Sequence, residues 1–155
     1  MDIRKKLNQI HHGGILGNAT TVDYGLLVLR VVAGLAFIFI FEKVLPREGV
    51  WGPQARFIQN VTEMGFPFPV FFAWVAVLSE FLGGFLMVGG LWTRYATFMN
   101  ASVTFVAAFV YHDADLVGKG LTATVFFSIC VALTLAGPGR FSIDGWLAKR
   151  SARTN

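Results

Sequence analysis

Four long apolar stretches set the first limit on the fold of this chain. They cover residues 25–45, 70–91, 95–111 and 121–136. A helix that crosses a bilayer needs about 20 mostly apolar residues, because the hydrocarbon core is about 30 Å thick and a helix rises about 1.5 Å per residue. The last two stretches are short and need their flanks or a thin bilayer. The pattern predicts an all-α integral membrane bundle of four transmembrane helices in one domain, residues 1–155.

Composition agrees with lipid as the surrounding solvent. Apolar residues make up 55% of the chain and charged residues 14%, whereas a typical soluble domain is about 25% charged. A soluble helical bundle would need a polar face on each helix, and these stretches have almost none. The composition therefore favours a membrane protein.

Basic residues predict the orientation of the bundle. Eight lie in the two tails and in the turn between the second and third stretches: Arg4, Lys5, Lys6, Arg94, Arg140, Lys149, Arg150 and Arg153. Four lie in the loops on the opposite side: Lys43, Arg47, Arg56 and Lys119. Positive charge is retained on the cytoplasmic side, so the tails 1–24 and 137–155 are predicted to be cytoplasmic. No basic patch interleaved with aromatic residues indicates nucleic-acid binding, and the expected partner is the lipid bilayer.

The loop between the first two stretches has a helical pattern of its own. In "GPQARFIQNVTEMGFPFP" (residues 52–69), apolar residues recur at helical spacing at Phe57, Ile58, Val61 and Met64. This pattern predicts a short amphipathic helix at the membrane surface. An apolar loop without regular structure is the alternative.

A single acid interrupts the second apolar stretch. In "VLSEFLGGFLMVGG" (residues 77–90), Glu80 lies about 15 Å from either end of the predicted helix, near the bilayer midplane. A charge there costs about 2.5–3.5 kcal/mol on insertion scales, so Glu80 is expected to face protein or water. Gly83 and Gly84 share its helix face and leave room for a neighbouring helix or for a ligand. Glu80 is either a functional group or a structural anchor, and the sequence allows both.

Candidate partners of Glu80 lie on the first and third helices. Arg30 lies about 8 Å below Glu80 by the helical rise, on the face that also carries Phe37. Lys43 closes the outer end of the first helix and His112 that of the third. At about 100° per residue, Arg30 and Lys43 point to opposite sides, so both reach Glu80 only if the helix unwinds. Each charged group also has an interfacial interpretation, in which it reaches for headgroups or water.

Several cofactors are excluded by what the sequence lacks. Cys130 is the one cysteine, so the chain has neither an internal disulfide nor a CxxC relay. The predicted helices hold no histidine pair for haem, and the chain has no iron–sulfur spacing and no nucleotide-binding glycine motif. No metal site is predicted. Any redox chemistry would use a lipid-soluble carrier such as a quinone, or a cofactor on a partner protein.

Three blocks of sequence resemble the DoxX-like membrane proteins. "LRVVAGLAFIFIFEK" (29–43) is similar to the family's first helix, with Leu-Arg, a glycine four residues later and a lysine at the outer end. "EFLGGFLMVGGLWTR" (80–94) and "GPGRFSID" (137–144) match its acid, glycine pairs, Thr-Arg turn and closing motif, and His112 matches a landmark after the third helix. The likeness extends over residues 24–144. It implies a four-helix protein of the bacterial inner membrane, related to the DoxD-type subunit of thiosulfate:quinone oxidoreductase.

Two classes of function fit these observations. The first is a component of a membrane oxidoreductase that binds a quinone-like carrier, where a mid-membrane carboxyl can carry protons and a cation can stabilise negative charge on the carrier oxygen. The residues assigned to this site are the catalytic candidates Glu80, Lys43 and His112 and the binding candidates Arg30, Phe37, Gly83 and Gly84. The second is a non-enzymatic scaffold that stabilises partners. A small transporter is a third class and would require a homo-oligomer. The sequence does not choose between catalysis and scaffolding, and a redox partner protein fits either.

Overall fold

The computed structural model describes residues 19–39 and 52–152, and all regular structure within them is helical. The helices are α1 (Ala19–Phe39), α2 (Ala55–Glu63), α3 (Pro69–Gly89), α4 (Thr93–Phe105, continued by a π-helix over Val106–Tyr111), α5 (Leu121–Ala136) and α6 (Ile143–Ser151). α1 packs on α3, α3 on α4 and α4 on α5, and α5 returns to α1 to close a four-helix bundle. The prediction of an all-α bundle is confirmed.

Two of these helices are long and apolar enough to cross a bilayer. α1 and α3 have 21 residues each, and in their most apolar windows only 22% and 33% of the residues are buried inside the protein. The remaining apolar side chains point outward, which is unlike the core helices of a soluble protein. α5 is apolar but has 16 residues, and α4 has 13 before the six of the π-helix.

The bundle has two ends, a tail end and a loop end. The tail end carries the α3–α4 turn (residues 90–92) and the segment after α5 (residues 137–152). The loop end carries α2 and the α4–α5 connection (residues 112–120).

Glycines bring α1 and α3 into backbone contact. A Cβ added to Gly34 would lie 2.7 Å from the carbonyl oxygen of Gly84, and one added to Gly84 would lie 2.8 Å from that of Gly34. Real Cβ atoms do not occur at such distances from backbone atoms. The crossing of α1 and α3 therefore requires glycine on both helices, as in other membrane helix pairs that meet through small residues.

The α3–α4 turn is held by a carboxylate from the far end of the chain. Gly90 ends α3 at φ 65°, with a bond from Leu91 N to Leu86 O of 3.0 Å that completes a Schellman motif. Asp144 then accepts hydrogen bonds from Trp92 N (2.9 Å) and Thr93 N (3.0 Å). These are free N–H groups at the start of α4, where a negative charge is favourable. Asp144 thus caps a helix that begins 51 residues earlier.

The first helix begins before the predicted Gly25. The described residues from Ala19 onward are already helical, and Asp23 in this first part is buried at 8% exposure rather than solvated in a polar tail. Its Oδ1 accepts a hydrogen bond from Arg140 N at 2.9 Å, and its Oδ2 lies 3.8 Å from Arg140 Nε. The predicted end of this helix, residues 40–45, lies outside the described residues.

The segment after α5 is also more ordered than a tail. The predicted stop after Ala136 is confirmed, with Gly137 at φ 82°. A further helix, α6, follows it within the region predicted as a tail. Ser142 caps α6 by accepting a hydrogen bond from Gly145 N at 2.9 Å. A serine at the N-cap is a local signal for a helix start, but no repeating apolar pattern follows it.

The loop end contains a short α-helix and a segment of π-helix. The predicted amphipathic helix is present as α2, and its buried residue Val61 packs toward α3. The third predicted helix is correct in position but departs from α-geometry over Val106–Tyr111. Segments of π-helix often accompany functional sites, because the wider turn shifts side chains relative to a regular helix.

Candidate functional site

A cavity of about 520 Å³ lies in the loop half of the bundle. α2 covers it from the loop end, and α3, the end of α4 and the start of α5 form its walls. This volume is in the range of small-molecule sites, about 300–1,000 Å³. Its lining is mainly apolar, with a few polar groups contributed by several helices, which is the usual character of a site for a small organic ligand.

Glu80 lies in the wall of this cavity near the middle of α3. Its side chain is buried at 9% exposure, on the α3 face that also buries Ala73, Val77 and Met87. The face of α3 that carries Glu80 therefore points into the bundle, as the glycine spacing predicted. A carboxyl in this position has direct access to whatever occupies the cavity.

Polar groups from three other elements lie along the same cavity. Asn60 comes from α2, Thr104 from α4, and His112 and Lys119 from the α4–α5 connection. Thr104 is buried and donates to Asn100 O of its own helix at 2.8 Å. Its remaining lone pair can accept a hydrogen bond from a ligand. The cavity thus combines a carboxyl deep in the wall with basic groups toward the loop end.

Aromatic rings form much of the remaining wall. Phe37 of α1 packs on Phe126 of α5 with ring centroids 5.1 Å apart, and Phe66 packs on Phe72 at 5.2 Å. All four rings line the cavity. Flat rings stack well on other flat rings, so this wall suits a planar ligand.

His112 and Lys119 form a basic rim of the cavity at the loop end, and the carboxylate of Asp115 holds the turn that carries Lys119. Asp115 accepts hydrogen bonds from Gly118 N at 2.9 Å and Lys119 N at 3.0 Å. These two N–H donors, Lys119 first, lower the pKa of Asp115 below its ordinary value. The turn holds the backbone of Lys119 beside His112, whose ring is packed edge-on to Tyr111 at 4.7 Å.

Arg30 does not belong to this cavity. Its guanidinium is 2% exposed and donates through Nη2 to the carbonyl oxygen of Phe141 at the tail end, where a Cβ on Gly90 would collide with it. Gly90 is ten residues from Glu80, about 15 Å along α3. Arg30 thus lies on the tail side of Glu80, as the helical rise predicted, and its side chain extends away from Glu80. Its role as a partner of Glu80 or as a carrier-binding group stays a prediction. Asp144 is close enough to attract it electrostatically.

The two glycines assigned to carrier binding are packed against protein instead. A Cβ on Gly83 would lie 2.6 Å from Asn100 Oδ1, so the amide of Asn100 fills the space that Gly83 leaves. Gly84 meets the backbone of Gly34. The sequence could not tell whether the space next to these glycines holds a neighbouring helix or a ligand. In the structure, α4 lies against Gly83 and α1 lies against Gly84.

The predicted site residues therefore fall into three groups. Those that line the cavity are Glu80, Phe37 and His112; those that lie elsewhere are Arg30, Gly83 and Gly84; Lys43 lies outside the described residues. Lys119 and Asn60 line the cavity without having been predicted. The sequence signal for Lys119 was the Asp115–Gly118 turn, which holds it at the rim. Within the described part of the chain, no three His, Cys, Asp or Glu residues are grouped to hold a metal ion.

Comparison with known proteins agrees with the resemblance in the sequence. The DoxX family model matches residues 25–113. The chain is 30% identical to Inner membrane protein YqjF of Escherichia coli (strain K12), over 83% of this chain and 95% of that protein. No solved structure matches the chain. On the family model and this relative together, the chain belongs to the DoxX family.

Proposed function

We propose that the protein is a multi-pass protein of the bacterial inner membrane, with four spans and both termini in the cytoplasm. Its Escherichia coli relative is an inner membrane protein by name, which supports the membrane location, and the outward apolar faces of α1 and α3 support spanning helices. The excess of basic residues in the tails supports the orientation. Reporter fusions at Asn155 and at Gly65 test it, and an external C-terminus would overturn the assignment.

Within that membrane, the protein binds a quinone-like carrier in the cavity of the loop half. The observation that carries this proposal is Glu80, a buried carboxyl that lines a cavity of about 520 Å³ together with aromatic rings. An acid in a bilayer is costly and commonly marks a proton path or ligand site. The aromatic wall suits the flat ring of a quinone, and the basic rim suits its carbonyl oxygens.

Reduction of a quinone to a quinol takes up two electrons and two protons. A redox partner protein supplies the electrons, since the chain carries no haem, iron–sulfur or nucleotide motif. Glu80 donates one proton to a quinone oxygen and is reprotonated from the aqueous side through the polar groups of the cavity. The second proton reaches the other oxygen from water at the loop end, where the cavity residue Lys119 is exposed. His112 and Lys119 stabilise the negative charge that develops on the other oxygen.

The substitution Glu80→Gln tests this role. Glutamine preserves the shape and hydrogen bonding of the side chain but cannot carry a proton. We expect the variant to unfold in detergent at the wild-type temperature, to bind quinone and to lose quinone reduction with a partner enzyme. Glu63→Gln is the matched control, because Glu63 lies on the exposed side of α2 in a bond with Gln59 of 2.9 Å, and it should retain both properties.

The opposite outcome would assign Glu80 to structure. If it is an ionised partner in a buried pair, Glu80→Gln should lose about 3–5 kcal/mol of unfolding free energy. A variant that is destabilised to this extent yet fully active per folded molecule would overturn the proton-carrying role and favour the scaffold.

A further inference from the structure

The cavity is not closed on the side where α3 faces α4. Two residues of α4 that line it, Met99 and Ser102, are also exposed on the outer surface, Met99 at 46%. Across the gap, α3 contributes Ala76 and Ser79, which are both half-buried and both small. The lining of the cavity therefore reaches the outer surface of the bundle between these two helices.

The gap follows from how α3 and α4 are joined. At the tail end the two helices are tied by the turn at Gly90 and by the fit of Asn100 against Gly83. Toward the loop end, the facing residues Ala76 and Ser79 have side chains too small to bridge the space. Above the gap, α2 covers the cavity with Phe57, Val61 and Met64. Among the described residues, the cavity thus reaches the surface sideways between α3 and α4, and also at the loop end, where the lining residues Tyr111, Lys119 and Thr122 are exposed.

The size of the cavity sets a limit on what it can enclose. A volume of 520 Å³ equals that of a sphere about 10 Å across, whereas the hydrocarbon core of a bilayer is about 30 Å thick. A planar head group fits within this space. A long lipid-soluble tail does not, so it must leave the cavity.

An open groove begins where such a tail would emerge. Ser102 and Val106 line both the cavity and a second depression of about 420 Å³ on the outer surface of α4 and α5. The other groove residues are almost all apolar: Phe98, Ala101, Phe105, Phe127, Val131, Thr134 and Leu135. Cavity, gap and groove therefore meet along one ridge of α4.

We propose that the gap bounded by Ala76, Ser79, Met99 and Ser102 is a lateral portal for a membrane-dissolved amphiphile. The polar ring of the ligand occupies the cavity beside Glu80 and His112, and its long apolar tail passes between α3 and α4 into the groove and the surrounding lipid. This inference rests on the proposed function and narrows its ligand to carriers that travel in the bilayer.

Plugging the gap tests the portal. Ser102→Phe places a ring at the gap from α4, and Ala76→Phe does so from α3. Ser128→Phe is the matched control, because Ser128 is also an exposed helical serine bonded to the carbonyl four residues earlier, at 2.9 Å against 3.0 Å for Ser102. Each variant is reconstituted in phosphatidylcholine nanodiscs, and binding of two quinones with the same ring is measured: a long-tailed isoprenoid quinone and its tail-less form.

We expect either plug to weaken binding of the long-tailed quinone by about tenfold or more, and binding of the tail-less form by a clearly smaller factor, because only the tail passes through the gap. Equal weakening of both forms would show that the added ring fills the cavity, and would overturn the portal. Ser128→Phe should change neither. Because the plugs enter from different helices, misfolding of one leaves the other as the test. A wild-type protein that binds both quinones, with plugs that do not affect the long-tailed one, would overturn the portal alone. A wild-type protein that binds neither quinone would overturn the portal and the carrier site together.

Discussion

The tail end of the bundle is fastened by paired polar groups, whereas the loop end uses its polar groups to line a cavity. At the tail end, Asp144 and Asp23 each accept hydrogen bonds from backbone N–H groups of distant segments. At the loop end, His112 and Lys119 line the cavity whose deeper wall carries Glu80. Both ends carry sequence that resembles the DoxX landmarks. The family-like residues therefore hold helices together at the tail end, and they line a candidate site at the loop end.

The closing GPGRFSID motif illustrates the structural use of such a landmark. Arg140 bonds Asp23 of α1, Phe141 accepts a hydrogen bond from Arg30, and Asp144 caps α4. Eight consecutive residues thus join two distant segments, α1 and the start of α4. This motif therefore has a structural role in holding the tail end together.

The largest expected effect is at the crossing of α1 and α3. Gly84→Leu forces a side chain into the backbone of Gly34 and into Ile38, where a Cβ alone would lie 2.9 Å from Cγ1. We expect a loss of about 3 kcal/mol or more, at the upper end of overpacking costs, because backbone atoms cannot move aside. Unfolding in mild detergent measures it. Gly25→Leu is the control, since nothing lies within 4 Å of a Cβ there, and equal stability of the two variants would contradict the packing assignment.

The next effect compares one acid at each end. Asp144→Asn removes the charge that accepts from Trp92 N and Thr93 N, and we expect a loss of about 1.5–3 kcal/mol, the range for hydrogen bonds to charged groups. Asp113→Asn at the loop end keeps a residue type that tolerates its φ of 49° and should change stability by less than about 0.5 kcal/mol. Thermal unfolding of both variants measures the difference. If Asp113→Asn lost more unfolding free energy than Asp144→Asn, the tail end would not be the end that depends on its acid for stability.

A smaller effect separates two threonines on α4. The hydroxyl of Thr97 is 2.8 Å from that of Thr134 on α5, whereas Thr104 bonds carbonyls of its own helix. Thr97→Val should cost about 0.6 kcal/mol, the average for hydrogen bonds between membrane helices. Thr104→Val should cost less in unfolding experiments but weaken quinone binding. If Thr97→Val weakened quinone binding more than Thr104→Val, the quinone would not bind in the cavity that Thr104 lines.

The smallest effect concerns the rim of the cavity. The pKa of Asp115 is lowered in the folded protein, so its carboxylate stabilises the turn above its ordinary pKa of 3.8 and loses this contribution as the pH falls through the lower folded value. Asp115→Asn should speed hydrogen exchange at the amides of Gly118 and Lys119 at neutral pH. The difference from wild type should shrink below the ordinary pKa. Unchanged exchange at neutral pH would show that the turn forms without the carboxylate.

The sequence by itself determined the helices that depend on local pattern. α5 occupies the predicted residues 121–136, and α3 begins one residue before its predicted start, because long apolar runs and glycine stops act within a few residues. The amphipathic α2 follows from spacing alone. The inward direction of Glu80 also followed from the sequence, since placing an acid in lipid is too costly.

Only the tertiary structure decided what each inward group meets. Helical spacing placed Arg30, Gly83 and Gly84 on inner faces but could not tell whether the space beyond holds a helix or a ligand. The direction of Arg30 depends on Phe141, which lies 111 residues away, and the burial of Asp23 depends on Arg140. The cavity is lined by residues of five helices and the α4–α5 connection, which are far apart in the sequence. Such features arise from contacts between distant segments, which no local pattern contains.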